Sequence, residues 1–235
     1  MRSSLLAVAL SLVGCTRSQP SVSAPPPLPT VRVDLWHDTI CPWCRIGLHA
    51  LDGAIAEAKD VHVDVVHHAF LLDPETPPGG RDFRAHLGAK FGGVDRLDAM
   101  FERVSAAGAP YSVRFAWDKV RVSPDTTGSH VLLAWAPIEK RAGLLDAMHR
   151  AHFEEGRDLG DVEVLAGLAR AVGLDGDAAC SAVNDTLRRA ATRAEAAAAA
   201  NQGITGVPHF VIGAQVLNGA QSPQTLAAAL RAAAK

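Results

Sequence analysis

Three features are scarce in this chain of 235 residues. Net charge is the first: 23 Lys and Arg against 25 Asp and Glu leave a formal −2. No basic cluster interrupts that balance, which argues against a nucleic-acid partner, whose phosphates demand concentrated positive charge. The second is apolar length. Leu5 to Val13 is too short to span a bilayer, and no longer apolar run follows it. There is no internal repeat either. The third is the pattern of a zinc site. Such a site takes about four ligands, and only four cysteines are present. None of the ten histidines supplies a convincing spaced pair to go with them: His149 and His152 are too close, and His67 and His68 adjoin.

What the cysteines do offer is Cys41-Pro42-Trp43-Cys44, directly after a β-type run (Val31, Val33, Leu35, Trp36) and before a helical pattern. A strand followed by C-x-x-C and a helix reads as a redox pair at a helix N-terminus. Cys41 is expected at the cap and Pro42 at the first helical position, where a missing N–H costs nothing. Cys44 then lies one turn on, within bonding reach of Cys41. The unsatisfied N–H groups and the positive end of the helix dipole favour a thiolate at Cys41, and the thiolate is the species that attacks disulfides. A structural disulfide between residues this close would shut almost no loop and stabilise little.

The ends speak to location. A basic start (Arg2), the short apolar run and then Leu12-Val13-Gly14-Cys15 resemble the lipobox of bacterial lipoproteins. The resemblance implies a signal peptide over residues 1–14, lipidation of Cys15, and a cell-envelope, extracytoplasmic or periplasmic, location. An ordinary secretory peptide that happens to contain a cysteine, or a cytosolic chain with an apolar start, is the plainer alternative. Residues 15–30, rich in Pro and Ser, form an expected tether. Cys180 is left over; it shares a helical face with Val183 and Leu187, which reads as a small buried residue, a reactive third thiol being the alternative.

The remainder is expected to fold as β-α-β, helical insertion, β-β-α. Residues 31–72 supply the first part, with a helix from Pro42 to about Lys59 and a strand at Val61–Val66. A breaker-rich loop, Asp73 to Gly80, opens an all-helical lobe spanning 73–190. Its predicted helices are Phe83–Phe91, Asp95–Ala107, Thr127–Ala142, Leu144–Glu154, Val162–Val172 and Asp177–Ala200, with Gly143, Gly173 and Gly203 as stops. Residues 191–235 complete the fold with short strands at 210–212 and 215–217 and a helix at 225–234. The fold class is α/β, a thioredoxin-like domain interrupted by a helical insertion.

Three segments carry a family resemblance: Asp38 to Gly47, Ala151-His152-Phe153-Glu154-Glu155-Gly156, and Gly203-Ile204-Thr205-Gly206-Val207-Pro208-His209-Phe210. Phe70 to Pro74 and Gly219-Ala220-Gln221 add to them. Together they are similar to the FrnE-like branch of the DsbA family, from about Val31 to the end. The resemblance implies thiol–disulfide exchange on proteins, with Cys41 as nucleophile and Cys44 as resolving thiol. It implies a cis bond before Pro208, with Val207 and Pro208 facing the thiols. Pro42 and Trp43 shape the site, Trp43 as an apolar surface for unfolded chains. His130 is a further candidate, as the survivor of an Ala-His-Arg-Leu pattern that here reads Ser129-His130-Val131-Leu132.

No metal or organic cofactor is called for. The expected partners are protein thiols or disulfides, an unidentified redox partner, and a membrane through the lipid anchor. Two other functions stay open: a glutathione-dependent isomerase or transferase of the kappa-like branch, and an anchored holdase whose thiols are incidental. The intact cysteine pair weighs against the first, because those relatives usually carry serine at the position of Cys41.

Overall fold

The computed structural model describes residues 27–235. The expected signal segment, Cys15 and most of the tether lie outside the described residues. The chain begins with strand β1 (Thr30–His37), helix α1 (Pro42–Glu57) and strand β2 (His62–Ala69). It returns to the sheet only at β5 (His209–Ile212) and β6 (Gln215–Asn218), and closes with α9 (Pro223–Ala233). The four strands lie in the order β2-β1-β5-β6, β1 parallel to β2 and antiparallel to β5. Alternation along β1 sends Val31, Val33 and Leu35 to one face, where Leu51, Ala54, Phe210, Ile212, Leu226 and Leu230 complete a core under α1 and α9.

Between β2 and β5 lies the helical lobe. A two-residue ladder of β3 (Arg81–Asp82) with β4 (Val122–Ser123) encloses α2 (Phe83–Phe91) and α3 (Leu97–Gly108). Then come α4 (Thr127–Trp135), α5 (Ile138–Phe153), α6 (Val162–Ala171), α7 (Gly176–Asn184) and α8 (Thr186–Asn201). Leu132, Leu144, Leu145, Met148, Leu159 and Leu165 form a second core inside the lobe. Helix α8 lies against β2 and leads the chain back to the sheet. The expected fold class, a thioredoxin-like domain with a helical insertion, is the observed one.

Two expected helix boundaries are not observed. The predicted stop at Gly143 is absent, and α5 runs straight through it. The break falls earlier, at Pro137, which has no N–H to continue α4 and holds Ala136 extended (ψ 143°). Arg141 then satisfies two stranded carbonyls, those of Ala136 and Ala134, each at 2.9 Å. The predicted helix 177–200 is two helices, because Asp185 caps α8 by accepting the N–H groups of Leu187 and Arg188. This split also overturns the shared face expected for Cys180, Val183 and Leu187. Val183 is buried, Leu187 is 79% exposed, and the Cys180 thiol is part-exposed and donates to Glu163 at 3.6 Å.

Candidate active site

Cys41 occupies the N-cap of α1, with Pro42 as first helical residue. The Cys41 N–H bonds back to the Asp38 carbonyl, so a tight turn joins β1 to the helix. Both cysteines are thiols and both are buried. Cys44 is hydrogen-bonded to Cys41 and fully enclosed, and that burial, with the neighbouring thiol, pushes its pKa well up. The Cys41 thiol donates to the Val207 carbonyl at 3.6 Å. The Val207–Pro208 bond is cis, as the resemblance implied. Pro208 is buried against α1 at Gly47, where a Cβ would come within 2.9 Å of the proline ring. Gly47 is therefore what lets the helix and the proline loop close on each other.

In front of Cys41 opens a cavity of about 260 Å³. Cys41, Trp43, Val207, Leu87, Met100 and Phe101 are among the residues around it. Its wall is built on a stack of rings: Phe101 lies 4.5 Å from Trp117, and Trp117 lies 4.7 Å from Phe115 at an angle of only 2°. Phe153 meets Phe115 edge-on at 5.2 Å. The segment Ala151–Gly156 thus acquires structural roles. Phe153 is core, and Glu154 pairs with the buried Arg45 in the first turn of α1. Gly156, at φ +73°, passes so close to the Lys119 carbonyl that a Cβ would stand 2.2 Å from it. Arg45 also donates to the Arg114 carbonyl at 2.7 Å, fixing the helix to the lobe.

Behind Cys44 the surroundings are polar. Asp38, 1% exposed, accepts the N–H of Leu72 at 2.7 Å and that of Ile40 at 3.3 Å. His130 on α4 directs Nε2 at the Asp38 carboxylate across 3.8 Å. His37 on β1 packs 5.3 Å from the His130 ring and approaches His67 at 3.2 Å. Thr39 and Ser129 hydrogen-bond at 2.7 Å, tying the same loop to α4. Burial raises the Asp38 pKa and lowers those of His130 and His37; His67 falls to about 4. A second cavity, about 240 Å³, is lined by His37, His67, His68, His130, Arg141 and Glu195.

Residues 32–231 match the DSBA-like thioredoxin domain family. The chain belongs to that family. A crystal structure of a probable DsbA oxidoreductase from Streptomyces coelicolor is 31% identical and superposes with a TM-score of 0.77, covering 86% of this chain and 89% of the other. The uncharacterized protein YwbO of Bacillus subtilis (strain 168) is 28% identical over 197 residues, 81% of this chain and 91% of that one. The cytosolic disulfide reductase DsbM from Pseudomonas aeruginosa shares the fold at 21% identity and a TM-score of 0.58, covering 86% of this chain and 97% of the other.

Within this DsbA-like frame the structure brings Cys41, Pro42, Trp43, Cys44, Val207 and Pro208 to one site. It places His130 elsewhere, on the rear side of Asp38. Asp38 and the ring stack were not singled out as site residues from the sequence. Asp38 sits three residues before Cys41, so its position in the motif was a usable signal. The stack brings together residues from 101 to 153, which no local pattern reveals.

Proposed function

We propose that this chain is a thiol–disulfide oxidoreductase of the FrnE-like branch, acting on protein disulfides through Cys41 and Cys44. The observation that carries this is the Cys41 thiol at a helix N-cap, bonded to the Val207 carbonyl and open to an apolar cavity. Cys41 as thiolate attacks one sulfur of a substrate disulfide and displaces the other. Cys44 then attacks Cys41, forming the internal disulfide and releasing the reduced substrate. Oxidation of a substrate is the same sequence in reverse. The cavity lies below the roughly 300 Å³ at which small-molecule sites begin, and its apolar wall suits one bulky side chain beside the reacting cysteine.

Export and lipid anchoring belong to the same proposal and rest on residues 1–14 and Cys15. A redox partner in the cell envelope would then reset the pair. Replacing Cys15 with Ala should move the protein from the membrane fraction to the soluble one.

The central test is trapping. Cys44→Ser should accumulate mixed disulfides on Cys41, visible by mass, and Cys41→Ser should form none. Equilibration in defined glutathione buffers then gives the potential. A Cys41–Cys44 pair that never cycles would sink the redox reading. An unchanged cellular role in Cys41→Ser would favour the holdase instead.

A further inference from the structure

Two residues of the cavity in front of Cys41, Phe91 and Met100, also line a second, open groove of about 410 Å³. Arg96, Ala99 and Arg103 complete that groove. We propose that it is a second subsite for the protein substrate, taking an apolar side chain with an Asp or Glu beside it. Arg96 and Arg103 select the acidic residue. The proposal rests on the disulfide-exchange reading and names the class of polypeptide on which that exchange acts best.

Helix spacing builds the groove. Arg96, Ala99, Met100 and Arg103 stand at i, i+3, i+4 and i+7, one stripe along the start of α3. Phe91, the last residue of α2, meets that stripe. Two large apolar side chains at this corner are exposed: Phe91 at 47% and Val94 at 48%, with Val94 seated against α2 at Gly88. The other large apolar side chains left exposed among the described residues, Leu28, Ile138, Leu187 and Val216, fall on four separate segments. Single exposed apolar side chains are ordinary, whereas a cluster beside a reactive thiol marks a surface that a partner covers.

Charge says which partner. Arg84 on α2 is committed: it bonds to Asp98 at 2.8 Å and lies over the Phe101 ring. Among the described residues, Arg96 and Arg103 have no carboxylate within ion-pair reach. Glu102 adjoins Arg103 in sequence but points about 100° round the helix, and Asp95 lies off the stripe in the 3₁₀ turn before α3. The Arg96 guanidinium lies over Gly92 at the end of α2, 3.4 Å from where a Cβ would stand. The lip of the front cavity, by contrast, is balanced. His86 faces Asp73 at 3.2 Å, and Lys90 donates to the Leu72 carbonyl at 3.0 Å. The unbalanced positive charge therefore belongs to the groove and not to the mouth at Cys41.

One extended substrate can use both places. Its cysteine meets Cys41 and a neighbouring bulky side chain enters the front cavity. The backbone then continues past Phe91 and Met100, which sets the next apolar side chain against Ala99 and the acid between the two arginines. That acid touches no reacting atom, so it strengthens binding and leaves the exchange step unchanged.

The test mixes the reduced protein, in excess, with peptides whose cysteine carries a fluorescence quencher as a disulfide. A Leu–Glu pair, or its Leu–Gln or Ser–Glu counterpart, is moved one residue at a time away from that cysteine on either side. Rates against protein concentration give an apparent binding constant and a limiting rate. Leu–Glu should bind on the order of threefold tighter than Leu–Gln, the scale of an exposed ion pair or two. The gain should fall in one window of positions, shrink with added salt and leave the limiting rate alone. Arg96→Gln with Arg103→Gln should abolish the Glu preference and keep that of Leu over Ser. Ala99→Trp should fill the groove and remove the Leu preference. All three positions are exposed, so the fold does not depend on them. Dithiodipyridine, a small disulfide without a carboxylate, should react equally with every variant. A Glu preference equal at every position, or one that survives the double variant, overturns the subsite and leaves the exchange reading intact. A wild-type dimer that Ala99→Trp dissociates gives the groove to a second copy of the chain and overturns it as well. If neither the peptides nor dithiodipyridine react at Cys41, both readings fail.

Discussion

Cys41 and Cys44 are separated by two residues, yet they face opposite kinds of surroundings. In front of Cys41 lies a cavity walled by Trp43, Leu87, Met100 and stacked rings, suited to an apolar side chain. Behind Cys44 lie a buried carboxyl and several buried imidazoles beside a polar cavity. The difference separates two tasks that a single pocket would perform badly. An apolar front excludes water from the exchanging sulfurs and rewards contact with unfolded chains. A polar rear holds a buried carboxyl and imidazoles that the front could not accommodate.

Acid should expose the rear first, and with the largest effect. Burial holds His37, His67, His130, His149 and His152 below the ordinary histidine range, His67 and His152 at about 4. At these five positions the unfolded chain therefore binds more protons than the folded one below about pH 6.5. The contribution of these five should be flat above that pH and fall as pH drops toward 4, by about 1.4 kcal/mol per pH unit for each fully contributing histidine; His68, held up by Glu195 and Asp34, acts with the opposite sign. Urea unfolding at a series of pH values measures this. His152 belongs to the front, and His37, His67 and His130 to the rear. His67→Gln and His152→Gln should each remove about one histidine's worth of slope, so a slope unchanged in both would place the acid sensitivity elsewhere.

The front should answer to a change that leaves the rear alone. Leu87 and Met100 line the cavity while remaining part-exposed, so they can be altered without emptying a core. Leu87→Asn should lower kcat/KM roughly tenfold for peptide disulfides carrying Phe or Leu beside the cysteine. Peptides with Gly there should change little. An equal loss for both peptides would mean that the cavity does not read the neighbouring side chain.

Legibility in the sequence divided along similar lines. The element order and the helix N-cap at Cys41 were readable, because each depends on neighbours in sequence; the facing Val207–Pro208, 166 residues from Cys41, came through the family resemblance. Helix ends were less so: Pro137 rather than Gly143 stops α4, and Asp185 caps a helix the alanine-rich pattern had hidden. Both are local signals that a run of strong helix formers outweighed. Of the front wall only Trp43, and of the rear cluster only His130, could be named from the sequence. His130 meets Asp38, and Phe101 meets Trp117, only once the lobe has closed over the sheet. Exposure of Leu187 has the same origin, since its face is set by the cap at Asp185 and not by the helix before it.

The smallest expected effect tests whether the rear carries a cost. Asp38 has a raised pKa, chiefly from burial, so its ionisation opposes folding. The stability it contributes is complete below its unfolded pKa and is lost as pH rises through the folded one, opposite in sign to the histidines. In Asp38→Asn the amide oxygen can still accept the Leu72 N–H. The amide NH₂ then turns toward His130 Nε2, giving that nitrogen its missing donor at the expense of the longer bond from Ile40. The variant should therefore melt higher than the wild type at neutral pH, by about 2–4 °C for a gain of 1 kcal/mol in a chain of this size. The gap should shrink in acid, where the wild-type Asp38 is neutral and no longer opposes folding. A variant that melts lower at every pH would mean that the carboxylate stabilises the fold, and the rear would then be as structural as the front.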